Sequence, residues 1–160
     1  VELYEPIRYL MSLGGKRLRP LMTLMSTALF TDEWQKAIKP ATAVEVFHNF
    51  TLMHDDIMDN APLRRGKPTV HAKWNDNTAI LSGDVMLVQA YELMLFVEDT
   101  HLKKALRRFN RTAAEVCEGQ QFDMNFETRE NVTEEEYIEM IRLKTSVLLG
   151  FALELGGIIG

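Results

Sequence analysis

The sequence holds a single cysteine, Cys117, in 160 residues. A lone thiol excludes an intrachain disulfide framework and a cysteine-built metal site, and it suits a reducing, cytoplasmic setting. Any metal must then be held by carboxylates or histidines. Proline and glycine are also scarce, five and nine respectively, and they fall where helical periodicity stops. No apolar run reaches the roughly 18 to 20 residues that span a bilayer, and Val1 opens no charged-then-apolar signal segment. No membrane span is expected, and a soluble protein is the default. Positive charge is not in excess either: 18 Lys and Arg against 23 Asp and Glu leave a net charge of −5. No global field therefore draws the chain to nucleic acid, and any anionic ligand must be held by a local basic cluster.

What the sequence does have is apolar content, 46% of residues, enough for one domain with a real core. The pattern is helical almost throughout. Residues 3 to 12 form a short amphipathic piece ended by Gly14-Gly15, and a second stretch runs from Leu18 to Phe30 with Pro20 in its first turn. After Pro40, residues 41 to 59 are apolar nearly all round, as in a buried helix, until Pro62. A basic loop from Ala61 to Val70 follows. Long helical patterns then cover 78 to 98 and 102 to 126, and Thr133 with Glu136 opens a last helix, expected to run to Gly156, in capping-box fashion. With no repeat and no β-type alternation, the expectation is an all-α, antiparallel helical bundle forming a single domain over 1–160. Both ends, a Val start inside a helical pattern and a Gly-rich stop, look like cuts in a longer chain.

The chemistry concentrates in three places. Asp55, Asp56 and Asp59 end the apolar helix, where the helix dipole disfavours each acid by about 0.3 to 1 kcal/mol. Asp55 and Asp59, four apart, project from one face and suit a hard cation such as Mg²⁺, which takes one or two carboxylates together with waters and a phosphate. His48, seven residues earlier, lies on nearly the same face, whereas His54 and His71 read as satisfied structural residues. Arg64, Arg65 and Lys67 follow the aspartates, and Lys16, Arg17 and Arg19 follow Gly14-Gly15. Each cluster is a candidate phosphate clamp, with guanidinium forks, ammonium point charges and a backbone free to approach closely. Two clusters beside one carboxylate pair imply two phosphorylated ligands.

These residues resemble the motifs of the trans-isoprenyl diphosphate synthases. Gly14-Gly15-Lys16-Arg17-Leu18-Arg19-Pro20 is similar to the segment that holds isopentenyl diphosphate. Leu52-Met53-His54-Asp55-Asp56-Ile57-Met58-Asp59-Asn60 resembles the first aspartate-rich motif, and Leu63-Arg64-Arg65-Gly66-Lys67-Pro68 the loop after it. Gly119-Gln120 with Asp123, and Lys144-Thr145, resemble weaker marks on the opposing helices. The resemblance implies an isoprenoid synthase bundle and Mg²⁺ ions bridging Asp55 and Asp59, with Asp56 beside them, to an allylic diphosphate. It implies that Arg64, Lys144 and Gln120 face that substrate, and that Lys16, Arg19, His48 and Arg65 hold isopentenyl diphosphate. The reaction implied is ionisation, condensation and proton loss in a dry cavity, with the Thr145 hydroxyl as a fixed dipole and the departing diphosphate as proton acceptor.

Product length depends on what closes the tunnel along the buried helix. Phe50 lies roughly 7.5 Å down the axis from Asp55, and the resemblance implies that an aromatic there gives a short product. Ideal geometry places Thr51 more directly beneath Asp55 and Phe50 to the side, so farnesyl and geranylgeranyl products both stay open. Phe47 and Met53 read as core. Apolar residues such as Met86, Leu87, Tyr91, Met94 and Phe96 exceed what one helix face needs, and with the resemblance they imply a homodimer. A class I terpene cyclase would need only one diphosphate site, and a regulatory or scaffold subunit would need neither clamp. No second aspartate-rich motif is present: Asp123 is single, Glu134-Glu135-Glu136 reads as a solvated helix start, and only Glu154 is acidic after Thr145. The 160 residues alone are therefore expected to be inactive.

Overall fold

Helical periodicity becomes helix almost everywhere in the computed structural model, which describes residues 2–160. The elements are α1 (Glu5–Ser12), α2 (Leu18–Ala28), a 3₁₀ turn (Trp34–Ala37), α3 (Ile38–Met58), a hairpin of β1 (Leu63–Arg64) and β2 (Lys67–Pro68), α4 (Val70–Lys73), α5 (Asp76–Met94), α6 (Asp99–Phe126), α7 (Glu134–Ile141), a π-helical turn (Arg142–Ser146) and α8 (Val147–Ile159). The all-α bundle is thus as expected. None of the helices among the described residues is long and apolar enough to cross a membrane.

Local chemistry sets the boundaries. Asn75 caps α5 by accepting from the Thr78 amide at 2.8 Å, which starts that helix two residues earlier than the apolar pattern alone implies. Thr133 and Glu136 form the reciprocal capping box on α7. Pro40 does not precede α3 but sits in its first turn, where a missing amide hydrogen costs nothing. The 61–70 loop is not wholly irregular. Arg65 and Gly66, both with positive φ, make a two-residue turn that pairs Leu63 with Pro68 and Arg64 with Lys67.

Two apolar clusters hold the bundle. One joins Val44 and Phe47 of α3 to Ala90 and Met94 of α5, Phe109 of α6 and Phe151 and Leu155 of α8. The other joins Ile7 and Leu10 of α1 to Met53 of α3 and Ala79 and Met86 of α5. The start of α3 therefore meets the end of α5, and the two run antiparallel. Met86 and Met94 prove to be fully buried, so the apolar excess of α5 on the outside is carried instead by Leu81, Val88 and Leu95, seven residues apart, with Phe96 beside them.

The last helix differs from expectation in two ways. It breaks at the π-helical turn, and it does not stop at Gly156 but continues to Ile159. Gly156 is a packing device. A Cβ there would collide with the Thr23 carbonyl and lie 2.6 Å from Ser26 Cβ, and one at Gly160 would lie 2.9 Å from the Thr27 carbonyl oxygen. Helices α2 and α8 run parallel along this seam, stitched by Thr23 Oγ1 donating to the Ala152 carbonyl at 2.8 Å and Ser26 Oγ to that of Leu153 at 2.7 Å. Gly156→Val should destabilise by about 2 to 3 kcal/mol through overpacking. Gly157→Ala, whose Cβ would meet nothing closer than 3.7 Å, should leave stability level or slightly raised in urea unfolding of the full-length protein.

Candidate active site

The end of α3 brings its aspartates to different places. Asp56 is buried, and both its oxygens accept from Arg64, Oδ2 from Nε and Oδ1 from Nη2, each at 2.8 Å. The expectation that Asp56 stands beside the other two toward a metal therefore needs correcting: the 100° step per residue turns it inward, and a guanidinium fork occupies it. Arg64 in turn spends two of its three nitrogens inside the protein, and hydrogen bonding to Asp56 raises its pKa above that of free arginine. Asp55 and Asp59 share the opposite face. Burial and then the Asp55 charge push the Asp59 carboxyl above its ordinary pKa.

Across the cleft, Lys144 Nζ donates to Asp123 Oδ2 at 2.6 Å and stands 3.3 Å from Asp55 Oδ1. Burial works against its charge, but the Asp123 hydrogen bond and the two carboxylates outweigh it, and its pKa lies above that of free lysine. Lys144 reaches this point because it belongs to the π-helical turn, which packs backbone-first on Gly119 of α6. Any Cβ at Gly119 would collide with the Lys144 amide. Such turns interrupt helices at functional sites more often than elsewhere.

The second basic site draws together sequence-distant residues. Arg65 Nη1 donates to the Gly14 carbonyl, so the hairpin and the Gly14-Gly15 loop touch. Arg19 Nη1 lies 3.3 Å from His48 Nε2, and Arg19 Nε is buried with no partner. Lys16 is exposed nearby in sequence. Arg17, read from the sequence as part of the clamp, points inward: with φ of 50° it donates to Glu45 Oε1 at 2.5 Å and to the Met11 carbonyl at 2.6 Å. It anchors the loop. Burial, and then the neighbouring Arg19, depress the His48 pKa to about 4, so the ring is neutral at pH 7 and offers one N–H donor.

Between the two sites lies a cavity of about 180 Å³. Asp55, Gln120, Lys144 and Thr145 line its polar end, Arg19 and His48 a second polar wall, and Phe50, Thr51, Val116 and Leu148 the apolar remainder. Both Phe50 and Thr51 line it, which keeps both chain-length candidates in play. Phe50 separates the cavity from the fully buried Phe47, its ring 5.6 Å from that of Phe47 and 4.8 Å from His54. Gln120 Nε2 lies 3.6 Å from Met58 Sδ. Sequence reasoning missed Cys117 as a wall residue; its position three before Gln120 on α6 was the available signal. His54 and His71 are satisfied by the carbonyls of Ile80 and Ala61.

The donor set suits a hard divalent cation. Asp55 and Asp59 face one side, Asp55 Oδ1 is buried without a hydrogen bond, and no third His, Cys, Asp or Glu converges among the described residues. A cation here would complete its shell with water or phosphate oxygens, as Mg²⁺ does.

The buried, neutral His48 carries a pH signature. Because its folded pKa lies below the unfolded value near 6.5, the unfolded state takes the proton first, and stability should fall as pH drops from about 6.5 toward 4. ¹H–¹⁵N spectra should find the ring neutral at pH 6, and His48→Gln should remove that part of the slope.

Comparison with known proteins agrees with this geometry. The sequence model of the family described as Polyprenyl synthetase matches residues 1–160. A geranylgeranyl diphosphate synthase of Methanosarcina mazei is 45% identical over 161 residues, covering 99% of this chain and 50% of its own. A crystal structure of a geranylgeranyl pyrophosphate synthase superposes with a TM-score of 0.96 at 57% identity, across 99% of this chain and 48% of that one. A geranylgeranyl pyrophosphate synthetase from Pyrococcus horikoshii gives 0.96 at 43% identity, over 99% and 49%. The chain thus spans about half the length of these relatives, and over that half the fold coincides. The chain belongs to the polyprenyl synthetase family.

Proposed function

We propose that this chain supplies the substrate cleft of a trans-prenyltransferase that condenses an allylic diphosphate with isopentenyl diphosphate. The observation that carries the reading is the cavity itself: Asp55 faced by Lys144 on one wall, the Arg19–His48 pair on another, and an apolar lining that includes Phe50. A terpene cyclase has no use for the second basic wall, and a scaffold subunit has no use for either. The names of the relatives support the geranylgeranyl product, with farnesyl as the shorter alternative.

In this reading the allylic diphosphate lies between Lys144, Gln120 and the remaining Arg64 nitrogen, while Asp55 and Asp59 hold Mg²⁺. When bound, Mg²⁺ supplies positive charge that stabilises the departing diphosphate. Lys144 and Arg64 do the same from the protein side, preorganised by Asp123 and Asp56. Lys16, Arg19, Arg65 and the neutral His48 donor hold isopentenyl diphosphate with its double bond toward the allylic carbon. The apolar walls at Phe50, Val116 and Leu148 exclude water from the cation, and the Thr145 hydroxyl offers it a fixed dipole. Those walls offer no base, and the departing diphosphate takes the proton. Residues 1–160 are then one part of a larger catalytic domain, with a second carboxylate shelf to come from elsewhere.

Full-length protein incubated with labelled isopentenyl diphosphate, an allylic primer and Mg²⁺ should form a longer allylic diphosphate, and chelator should abolish it. No incorporation would overturn the reading. In the same assay Phe50→Ala should lengthen the product, and an unchanged distribution would remove Phe50 as the floor. The exposed Leu81, Val88, Leu95 and Phe96 row is the proposed homodimer face. Light scattering should give twice the chain mass, and an aspartate at Val88 should shift it toward the monomer.

A further inference from the structure

The cleft holds a three-membered charge arrangement of Lys144, Asp123 and Asp55. Lys144 Nζ is shared unequally, 2.6 Å from Asp123 Oδ2 and 3.3 Å from Asp55 Oδ1, and the nearer contact is the stronger one. The ammonium competes with any cation for Asp55, because both seek the same carboxylate. The arrangement is not loose. Asp123 lies four residues after Gly119, on the same face of α6, so one helix face supplies both the side-chain anchor of Lys144 and the bare backbone on which its π-helical turn is seated. A lysine fixed at its backbone and held at its tip has little freedom to swing wholly onto Asp55.

We infer that Asp123 is a positioning residue that acts through Lys144: by drawing the ammonium to 2.6 Å it keeps the Lys144–Asp55 ion pair at 3.3 Å and leaves that carboxylate open to a divalent cation. The inference rests on the proposed reading for the identity of the cation-binding pair, and it concerns how a cation gains Asp55 rather than which groups touch the substrate. If Asp123 loses its charge, Lys144 turns fully to Asp55 and an incoming cation must displace it. If Lys144 is absent, Asp55 and Asp59 are left as an unneutralised pair and bind the cation more tightly. The two substitutions therefore act in opposite directions. A simple field effect of Asp123 on the cation predicts something different, because it would persist without Lys144.

Mn²⁺ binding to the full-length protein, read by electron paramagnetic resonance without any diphosphate, tests this on the class of bound ion that Asp55→Asn abolishes. Asp123→Asn should weaken that class about fivefold, the size of one partly exposed ion pair. Lys144→Met should tighten it, Asp123→Glu should restore it, and Asp123→Asn placed on Lys144→Met should have no further effect. Weakening by the same factor in both backgrounds, or no weakening by Asp123→Asn alone, overturns the inference. In turnover, Asp123→Asn should raise KM for the allylic diphosphate and leave that for isopentenyl diphosphate unchanged. Because the Mn²⁺ cycle reads no chemistry, a wild-type protein that binds the ion but fails to condense would count against the prenyltransferase reading alone.

Discussion

The absence of a side chain at Gly119 is the constraint on which the cleft depends. It lets the backbone of Leu143 and Lys144 lie directly on α6, and the extra residue per turn that this approach accommodates is what gives the helix its π-helical step. From that step follow the reach of Lys144, the distance to Asp55, and the exposure of the Thr145 hydroxyl to the cavity. Any larger residue would push α7 and α8 outward together, and α8 carries Leu148, Phe151 and Leu155 into the main core. Site geometry and core packing are therefore set by the same contact.

Electrostatics in the cleft are organised by division of labour among neighbouring like residues. Of three aspartates at a helix end that disfavours them, one is buried and neutralised by Arg64, which leaves Asp55 to line the cavity and Asp59 exposed at the helix end. Of the arginines after Gly15, Arg17 is spent on Glu45 and the Met11 carbonyl, which leaves Arg19 to line the cavity. In each case the inward member fixes the loop or helix end from which the outward member works. An acidic chain can hold two anionic ligands this way without a positive overall charge.

This division explains what could be read from the residues and what could not. The helices were legible because apolar spacing and caps are local: Thr133 and Pro20 announce their elements without reference to the rest of the chain. The pairing of Asp55 with Asp59, and the presence of His48 on their side, follow from helix geometry alone. That Asp56 and Arg17 turn inward does not, since it depends on Arg64 and Glu45 arriving from elsewhere in the chain. The π-helical turn was hidden for the same reason. Nothing in Arg142 to Ser146 distinguishes it from an α-helix, and the cause sits on α6. Gly156 and Gly160 look like helix breakers by composition, and only the parallel neighbour α2 makes them packing residues.

The α2–α8 seam has a consequence for the spacing of the two basic sites. Helix α2 begins with the residues that include Arg19, and α8 continues directly from the turn that carries Lys144. Because the two helices meet through glycine against backbone and through hydroxyls bonded to carbonyls, no rotamer change along the seam can alter their separation. The distance between the two basic sites is thus held by short contacts to main chain. The seam works as a gauge block, and any adjustment between the sites is left to the tips of the arginine and lysine side chains.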